Sequence, residues 1–245
     1  MISLYIKYIP IKRKSQEICV KFLYKFFKPL SRTFDCKISI IKDMTDKIKD
    51  RLETYQAKPL GVKKQYAVLL PLIWEDGDWQ VLFQVRSAQI SQPGEVAFPG
   101  GRVEEGESFS QAAVRETVEE LNVSPDTIKL LGEIDYFVYQ DKEVHCFVGQ
   151  LQVTDWREIV PNEEVERLFT YSLRQLLEIK PTYYKLTADL REDSDFPFER
   201  INQGKSYRFG HQNRNIPFYE NLEENIWGMT AQFTHRFVEI LQGKE

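Results

Sequence analysis

Charged residues recur at fixed intervals in the segment from Phe98 to Val123. Three of them, Glu116, Glu119 and Glu120, are three and four residues apart, so a helix would place them on one face. Like charges at that spacing repel one another, and a hard divalent cation removes the repulsion. Mg²⁺ and Mn²⁺ prefer oxygen ligands, and Mg²⁺ keeps several waters and bridges to substrate phosphates. The segment therefore predicts a cation site that handles a phosphate-containing substrate.

The local sequence supplies a helix for these glutamates. Ser108 and Gln111 match the capping box, in which each side chain bonds to the backbone N–H of the other residue at a helix start. The residues from there to Leu121 are good helix formers and include no Gly or Pro. We expect the faces away from the glutamates to bury four side chains, those of Val114, Thr117, Val118 and Leu121.

Two further features are expected to hold the site together. Arg115 should pair with a carboxylate, Glu107 being the first choice, and so hold the preceding loop against the helix. The tripeptide Pro99-Gly100-Gly101 permits a tight turn and lets the backbone approach a metal ion or a phosphate closely. A charged helix face that is merely solvated explains neither the Gly-Gly turn nor the clustered carboxylates.

The spacing of these residues resembles the Nudix box, G-x5-E-x7-R-E-U-x-E-E-x-G-U, in which U is aliphatic. Gly101, Glu107 and the run from Arg115 to Val123 occupy its positions, and every charged position matches. Thr117 stands where an aliphatic residue is usual, and Asn122 where Gly is usual. Asn tolerates the left-handed backbone of a helix C-cap better than most residues. The resemblance implies an α/β fold, the Nudix α/β/α sandwich with a mixed β-sheet.

The preceding segment is similar to the extra signature of the coenzyme A pyrophosphatase branch of this family, L-L-T-x-R-S-x3-R-x3-G-x3-F-P-G-G. Its R-S pair corresponds to Arg86-Ser87, and its G-x3-F-P-G-G half corresponds to residues 94–101. Gln84 stands at the Thr position, Ser91 stands at the second Arg position, and the spacer is one residue shorter. Further downstream, three segments also look like that branch: residues 196–200, 216–219 and 226–231.

This resemblance implies a metal-dependent pyrophosphohydrolase that cleaves the diphosphate of coenzyme A or its derivatives to 3′,5′-ADP and 4′-phosphopantetheine. Mg²⁺ or Mn²⁺ would be held by Glu116 and Glu120, with the Gly101 carbonyl nearby. The residues that the resemblance makes catalytic are Arg115, Glu116, Glu119 and Glu120. The residues that it makes substrate-binding are Arg86, Ser87, Gly100 and Gly101. The general base stays open between Glu119, Glu163 and Glu164.

Two other functions stay open. One is hydrolysis of another nucleoside diphosphate linked to a second group, such as ADP-ribose, NADH or a dinucleoside polyphosphate. The other is a non-catalytic nucleotide-sensing module, against which the three intact glutamates argue.

The resemblance allows a homodimer, and the sequence does not choose between free, oxidised and acyl coenzyme A. Aromatic residues for stacking adenine or lining a pantetheine channel are Tyr183, Tyr184, Phe196 and Phe198.

Charge is unevenly distributed along the chain. Residues 1–43 contain ten Lys and Arg against three Asp and Glu, a net charge of +7 within a total of −4, which leaves −11 for the remainder. Phosphate contacts need Lys and Arg, so an acidic body is a poor nucleic-acid binder. We therefore expect a small-molecule nucleotide as the partner and no nucleic acid.

The first 43 residues are expected to form a basic extension, separate from a Nudix hydrolase domain over 44–245. The run 18–34 mixes bulky apolar residues with Lys and Arg, so as a helix it would lie on anionic membrane. Interruption by lysines prevents it from spanning a membrane. We prefer a disordered extension or an upstream over-reading of the gene start, because the residues from Met44 onward look like the usual start of these enzymes.

Cysteine usage favours a reducing, cytoplasmic location. Cys19, Cys36 and Cys146 form no C-x-x-C pair, which argues against a disulfide framework or a zinc site. The three histidines also show no metal-ligand spacing, so each is expected to be a surface or packing residue; they are His145, His211 and His235.

The rest of the chain alternates irregularly between predicted strands and helices, which favours a mixed sheet flanked by helices. Two strands over 65–74 and 79–86 are joined by a hairpin at residues 75–78. Other expected elements are strands at 128–138 and 144–153, a strand and helix within 163–177, and a closing helix at 225–241. Residues 88–107 are expected to form the substrate-facing loop, and residues 181–218 show few periodic signals.

Overall fold

The structure, a computed structural model, describes residues 44–187, 195–207 and 213–244. The expectations for residues 1–43, for His211 and for parts of 181–218 lie outside the described residues. By its contacts the chain divides into two units, Met1–Lys58 and Pro59–Glu245. In the first unit, residues 44–53 form helix α1. The second unit carries the predicted site.

The second unit contains strands and helices in an irregular alternation. The strands are β1 (Lys64–Glu75), β2 (Asp78–Arg86), β3 (Val96–Ala97), β4 (Gly100–Arg102), β5 (Ile128–Tyr139), β6 (Lys142–Leu151), β7 (Val165–Ser172), β8 (Thr182–Leu186), β9 (Arg214–Tyr219) and β10 (Ile226–Trp227). The helices are α2 (Phe109–Leu121), α3 (Leu173–Glu178) and α4 (Gly228–Leu241). Short 3₁₀ turns cover Pro125–Thr127, Trp156–Glu158, Phe198–Arg200 and Gly204–Ser206.

The main sheet is mixed, as predicted. Among the described residues it has seven strands in the order β3-β2-β1-β6-β5, with β4 paired to β1 and β7 paired to β2. Strands β1 and β6 run parallel, whereas β1 pairs antiparallel with β2 and β4. Strand β1 pairs with β2 only from Leu72 to Glu75 and pairs with β4 from Tyr66 to Val68, so β1 and β2 separate away from their hairpin. Residues 98–99, between β3 and β4, cross from the β2 side of this gap to the β1 side.

Helices cover both faces of the main sheet. On one face, Ala112 and Ala113 of α2 pack with Ala67 and Leu69 of β1, and Leu121 packs in a neighbouring cluster with Leu82 of β2. On the other face, residues of α3 and α4 join one large core cluster with strands β1, β2 and β6. Full burial of a Leu side chain stabilises a fold by about 1.5–3 kcal/mol. These contacts give the α/β/α layers that the sequence predicts.

Short-range signals explain where α2 and the first hairpin form. The N–H of Gln111 donates to Ser108 Oγ at 3.2 Å, and the N–H of Ser108 donates to Gln111 Oε1 at 2.9 Å, so both bonds of the predicted capping box are present. The helix ends at Asn122, whose φ of 52° is left-handed. In the hairpin, Asp76 and Gly77 have φ of 50° and 79°, the signs that a tight two-residue turn requires.

The structure corrects three expectations. Val114 and Val118 are half-buried rather than buried and line a groove on the outer side of α2. The segment 88–107 is not all loop, because β3 and β4 lie within it. The closing helix begins at Gly228, and the two residues before it form strand β10.

A second sheet, absent from the prediction, is formed by β8, β9 and β10. Among the described residues its order is β10-β9-β8, and both pairs are antiparallel. Tyr219 and Ile226 of this sheet are buried in the same core cluster as α4. None of the helices in the described part of the chain combines the length and apolar character needed to cross a membrane.

Candidate active site

Glu120 lies under the crossing between β3 and β4. Its side chain is only 3% exposed, although it is a carboxylate. The Nε2 of Gln84 donates to Glu120 Oε2 at 2.9 Å, and the N–H of Gly100 donates to the same oxygen at 3.1 Å. Within the described residues these two bonds leave the second carboxylate oxygen, Oε1, without a donor. A buried carboxylate with one open oxygen has the form of a cation ligand.

Glu116 lies one turn earlier on α2, directly against the glycine turn. A Cβ added to Gly101 would lie 2.3 Å from Glu116 Cδ and 2.4–2.5 Å from its two oxygens, so a larger residue there would displace the Glu116 carboxylate. The neighbouring Gly100 is also sterically required, because its added Cβ would lie 2.4 Å from the carbonyl oxygen of Ala67. The backbone of the Gly-Gly turn therefore lies against both predicted metal-binding carboxylates, as the sequence predicts.

Arg115 ties the loop and the helix together, which confirms its predicted pairing with Glu107. Its Nε and Nη2 donate to the two oxygens of Glu107 at 2.9 and 3.1 Å. Its Nη1 donates to Glu116 Oε1 at 2.9 Å, and its Nη2 also donates to the carbonyl oxygen of Arg102 at 2.9 Å. The guanidinium holds the pKa of Glu107 below its usual range. Arg115 thus orients Glu116 and anchors the loop.

Glu119 does not share the environment of the other two glutamates. Its side chain is 55% exposed and accepts a hydrogen bond from Arg115 Nη1 at 3.2 Å, whereas Glu120 is buried. Helix α2 carries all three carboxylates, but Glu120, one turn after Glu116, is buried against Gln84 of β2, whereas Glu119 is exposed. The proposed catalytic role of Glu119 stays a prediction.

The site is rich in negative charge. Burial raises the pKa of Glu120 to about 7. The hydrogen bonds from Gln84 and Gly100 lower this pKa, and the charges of Glu116 and Glu164 raise it. Burial also raises the pKa of Glu116, and Arg115 opposes this effect. A raised pKa means that the ionised carboxylate is poorly compensated by its surroundings. A divalent cation between these groups supplies the missing positive charge.

We predict that Glu120→Gln stabilises the metal-free protein at pH 8. Because the pKa of Glu120 is higher in the folded state, its contribution to stability is complete below about pH 4.5 and is lost as the pH rises through about 7. This rise in pKa from 4.5 to about 7 corresponds to roughly 3 kcal/mol at most. The measurement is the free energy of unfolding in EDTA, by urea titration, for the wild type and the variant from pH 5 to pH 8.

Glu107→Gln provides a control of opposite sign. Arg115 lowers the pKa of Glu107, so its charged form stabilises the fold and the substitution should cost stability at pH 8. Equal free energies of unfolding for wild type and Glu120→Gln at pH 8 would show that Glu120 is already compensated in the free protein.

The loop before β7 brings another carboxylate to the site. The N–H of Asn162 donates to the carbonyl oxygen of Glu120 at 2.8 Å, and the N–H of Ser87 donates to the carbonyl oxygen of Glu164 at 2.9 Å. Glu164 is exposed, and its charge raises the pKa of both Glu116 and Glu120. Glu163 is also exposed. Of the two loop glutamates in the prediction, Glu164 is the one whose charge acts on both carboxylates and whose carbonyl oxygen binds Ser87.

Arg86 lies at the end of β2, beside this loop. Its Nε donates to the carbonyl oxygen of Ser91 at 2.8 Å, and its Nη2 approaches Ser91 Oγ at 3.4 Å. No carboxylate forms an ion pair with Arg86 in the described part of the chain. Ser87 is 8% exposed, and its hydroxyl accepts the N–H of Gln89 at 3.3 Å. Substrate contacts by Arg86 and Ser87 stay predictions.

The donor set fits a hard divalent cation. Within the described residues no three His, Cys, Asp or Glu side chains gather closely enough to hold a metal ion by themselves. Mg²⁺ usually keeps several waters and is bound through one or two carboxylates and substrate phosphates. Glu116 and Glu120 meet that requirement, with one oxygen of Glu120 open and the Gly101 backbone adjacent.

Three contacts of the site were not predicted. Gln84 is a polar residue within the apolar run Val81–Val85 and is 1% exposed, and such an interruption of a buried strand is a usable signal. The N–H of Gly100 donates to the carboxylate of Glu120, and the N–H of Asn162 donates to its main-chain carbonyl oxygen. The sequence carries no signal for either main-chain contact.

The aromatic residues suggested for substrate stacking are mostly exposed. Tyr183 and Tyr184 on β8 are each 50% exposed, and Phe196 is 41% exposed. Phe196 and Phe198 contact each other edge to face, with ring centroids 5.0 Å apart. The stacking role of these four rings stays a prediction.

Several known proteins are similar to this chain. The family model for the NUDIX domain matches residues 63–190, just over half of the 245-residue chain. Nudix hydrolase 3 of Caenorhabditis elegans is 28% identical over 180 residues, which cover 71% of this chain and 72% of that protein. The mitochondrial coenzyme A diphosphatase NUDT8 of Mus musculus is 28% identical over 185 residues, 71% of this chain and 77% of that protein. A crystal structure of a C. elegans Ap4A hydrolase binary complex has a TM-score of 0.40 at 23% identity and covers 48% of this chain and 85% of that chain.

The chain belongs to the Nudix family of hydrolases, enzymes that act on phosphoric anhydrides. The family match includes the main sheet, the glycine turn and the whole of α2, which carry the site described above. Nudix hydrolases generally use divalent metal ions, in keeping with the oxygen-rich, negatively charged site.

Proposed function

We propose that this Nudix hydrolase cleaves the diphosphate of coenzyme A, or of its derivatives, to 3′,5′-ADP and 4′-phosphopantetheine. Two relatives support this substrate: the coenzyme A diphosphatase NUDT8 described above, and the peroxisomal coenzyme A diphosphatase NUDT7 of Mus musculus. NUDT7 is 31% identical over 125 residues, which cover 49% of this chain and 52% of that protein. The similarity of Arg86-Ser87 and residues 94–101 to the coenzyme A signature supports the same choice.

One observation carries the reaction class. Glu116 and Glu120 lie one helical turn apart against the Gly100-Gly101 turn, and each is held on one side by protein donors. Burial raises the pKa of both carboxylates, so the pair favours a positively charged ligand. Mg²⁺ or Mn²⁺ bound by Glu116, Glu120 and the Gly101 carbonyl would neutralise diphosphate oxygens and acidify water.

The side chains around this pair have separate roles in the proposed reaction. Arg86 binds a substrate phosphate, since its guanidinium is held by Ser91 and has no carboxylate partner in the described residues. Glu164 takes the proton of the attacking water, because its charge acts on both Glu116 and Glu120 and its side chain is exposed to the solvent. As the water oxygen bonds to a phosphorus atom, the bond from that phosphorus to the bridging oxygen breaks. Glu119 is less suited as the base because Arg115 engages it.

A substrate panel tests this function. The full chain is assayed with Mg²⁺ or Mn²⁺ against coenzyme A, ADP-ribose, NADH and diadenosine tetraphosphate, and the products are separated by chromatography. We expect coenzyme A to give a kcat/KM at least about tenfold above the others, since roughly 1.4 kcal/mol of selective binding suffices for that ratio. Release of 3′,5′-ADP should stop when EDTA is added.

The outcomes separate substrate from reaction class. Highest turnover on ADP-ribose, NADH or diadenosine tetraphosphate would overturn coenzyme A as the substrate and keep the hydrolase. Activity that survives EDTA would overturn the cation site. Binding of nucleotides without any turnover would favour the sensing module instead.

A further inference from the structure

Gln84 has an unusual environment for a polar side chain. It lies in the middle of β2, is 1% exposed and is one of the largest fully buried side chains among the described residues. Its Nε2 donates to Glu120 Oε2 at 2.9 Å. Its own carbonyl oxygen, Oε1, is buried and has no hydrogen-bond partner. A buried acceptor without a partner costs about 1–3 kcal/mol, so its presence needs an explanation.

The amide orientation of Gln84 is determined by Glu120. An ionised carboxylate accepts hydrogen bonds and cannot donate them, so Gln84 must present its NH₂ group to Glu120 and turn its oxygen elsewhere. Glu120 Oε2 then has two donors, Gln84 and the Gly100 N–H at 3.1 Å. Both donors act on the same oxygen, which fixes the carboxylate plane and leaves Oε1 of Glu120 for another partner.

We propose that Gln84 is a positioning residue for the cation site. Its amide N–H would hold Glu120 Oε2 so that Oε1 is left for the cation, and its own carbonyl oxygen stays without a partner as a consequence of that orientation. Such outer partners typically change metal affinity by about 10–100-fold. The inference rests on the proposed cation-dependent function and adds a residue from outside the box helix to the site.

The test measures Mn²⁺ affinity directly, without substrate. Free Mn²⁺ is followed by electron paramagnetic resonance during titration into the full chain. Gln84→Met keeps the length and apolar stem of the side chain and removes both amide groups. We expect the Kd for Mn²⁺ to rise at least about tenfold in Gln84→Met. The matched control is Gln80→Met on the same strand, whose side chain is half-buried and makes no described contact with Glu120; its Kd should stay within about twofold of the wild type.

A double-mutant cycle separates positioning from a general effect on the fold. If Gln84 acts through Glu120, then adding Gln84→Met to Glu120→Gln should change the Mn²⁺ Kd by less than about twofold. Gln84→Leu is a second variant in case Gln84→Met does not fold, and the same rise in Kd is expected. Thermal unfolding confirms that each variant is folded before its Kd is compared.

Each result has one meaning. A folded Gln84→Met or Gln84→Leu that binds Mn²⁺ like the wild type overturns the role of Gln84 and leaves the proposed function intact. Additive effects in the double-mutant cycle overturn the route through Glu120. A wild-type protein that hydrolyses coenzyme A in EDTA and binds no Mn²⁺ overturns the cation site itself.

Discussion

Glu120→Gln is expected to reduce kcat/KM by roughly a thousandfold while leaving the fold intact. Glutamine preserves the size of the side chain and can still accept the hydrogen bonds from Gln84 and Gly100. It removes the negative charge that a divalent cation needs in this buried position. The measurement is the rate of 3′,5′-ADP release from coenzyme A at saturating Mn²⁺, together with a thermal unfolding curve for each protein.

Glu143→Gln is the matched control, because it also removes a buried carboxylate, in this case from strand β6. Glu143 is 6% exposed and accepts hydrogen bonds from Gln65 at 3.0 Å and from His145 at 3.2 Å, away from the described site contacts. Its kcat/KM should stay within about threefold of the wild type. If Glu120→Gln is no less active than Glu143→Gln, Glu120 is a structural residue and the metal assignment is lost.

Features with short-range causes could be predicted from the sequence. The capping box at Ser108, the left-handed cap at Asn122 and the hairpin at residues 75–78 each depend on neighbours within four residues. The Arg115–Glu107 pair spans eight residues and was predictable because the box spacing fixes it. In these places the local backbone preference and the final structure agree, so no tertiary information was needed.

Features with long-range causes were not predictable. Glu120 is buried because Gln84, 36 residues earlier, and the loop at Asn162 close over it, and neither contact leaves a periodic signal. Sheet β8-β9-β10 was missed because its strands are short and because β8 and β9 are far apart along the chain. Val114 and Val118 looked like core residues because helix periodicity identifies an apolar face without showing what covers it.

His145 shows how a structural role can look like a chemical one. Its ring stacks between Phe109 and Tyr136, with centroid distances of 3.6 and 4.8 Å, and its two nitrogens contact Glu133 and Glu143. The sequence predicts a packing or surface role for this histidine, and these contacts confirm packing. The carboxylates proposed to bind the cation differ, because protein donors occupy only part of each one.

Gly101→Ala is expected to lower kcat/KM by about a hundredfold or more, because displacing a catalytic group by about 1 Å can cost that much. The added methyl group would lie 2.3–2.5 Å from the carboxylate of Glu116, and those are its three nearest contacts. Since a glutamate side chain can rotate away, the fold should survive, but Glu116 can no longer occupy its position beside the backbone. We expect the Mn²⁺ Kd to rise in parallel with the loss of activity.

Two other glycines make this prediction specific. Gly132→Ala adds the same methyl group on β5, where no heavy atom lies within 4 Å, so activity and Mn²⁺ affinity should match the wild type. Gly100→Ala places its methyl group 2.4 Å from the carbonyl oxygen of Ala67 and 2.6 Å from Val68 Cα, so the backbone must shift and thermal stability should fall. Gly101→Ala should therefore lose catalysis and cation binding at near wild-type stability. A Gly101→Ala protein that binds Mn²⁺ normally would show that cation binding does not depend on the position of Glu116 beside the Gly-Gly turn. The ligands of the cation would then have to be Glu120 and Glu164.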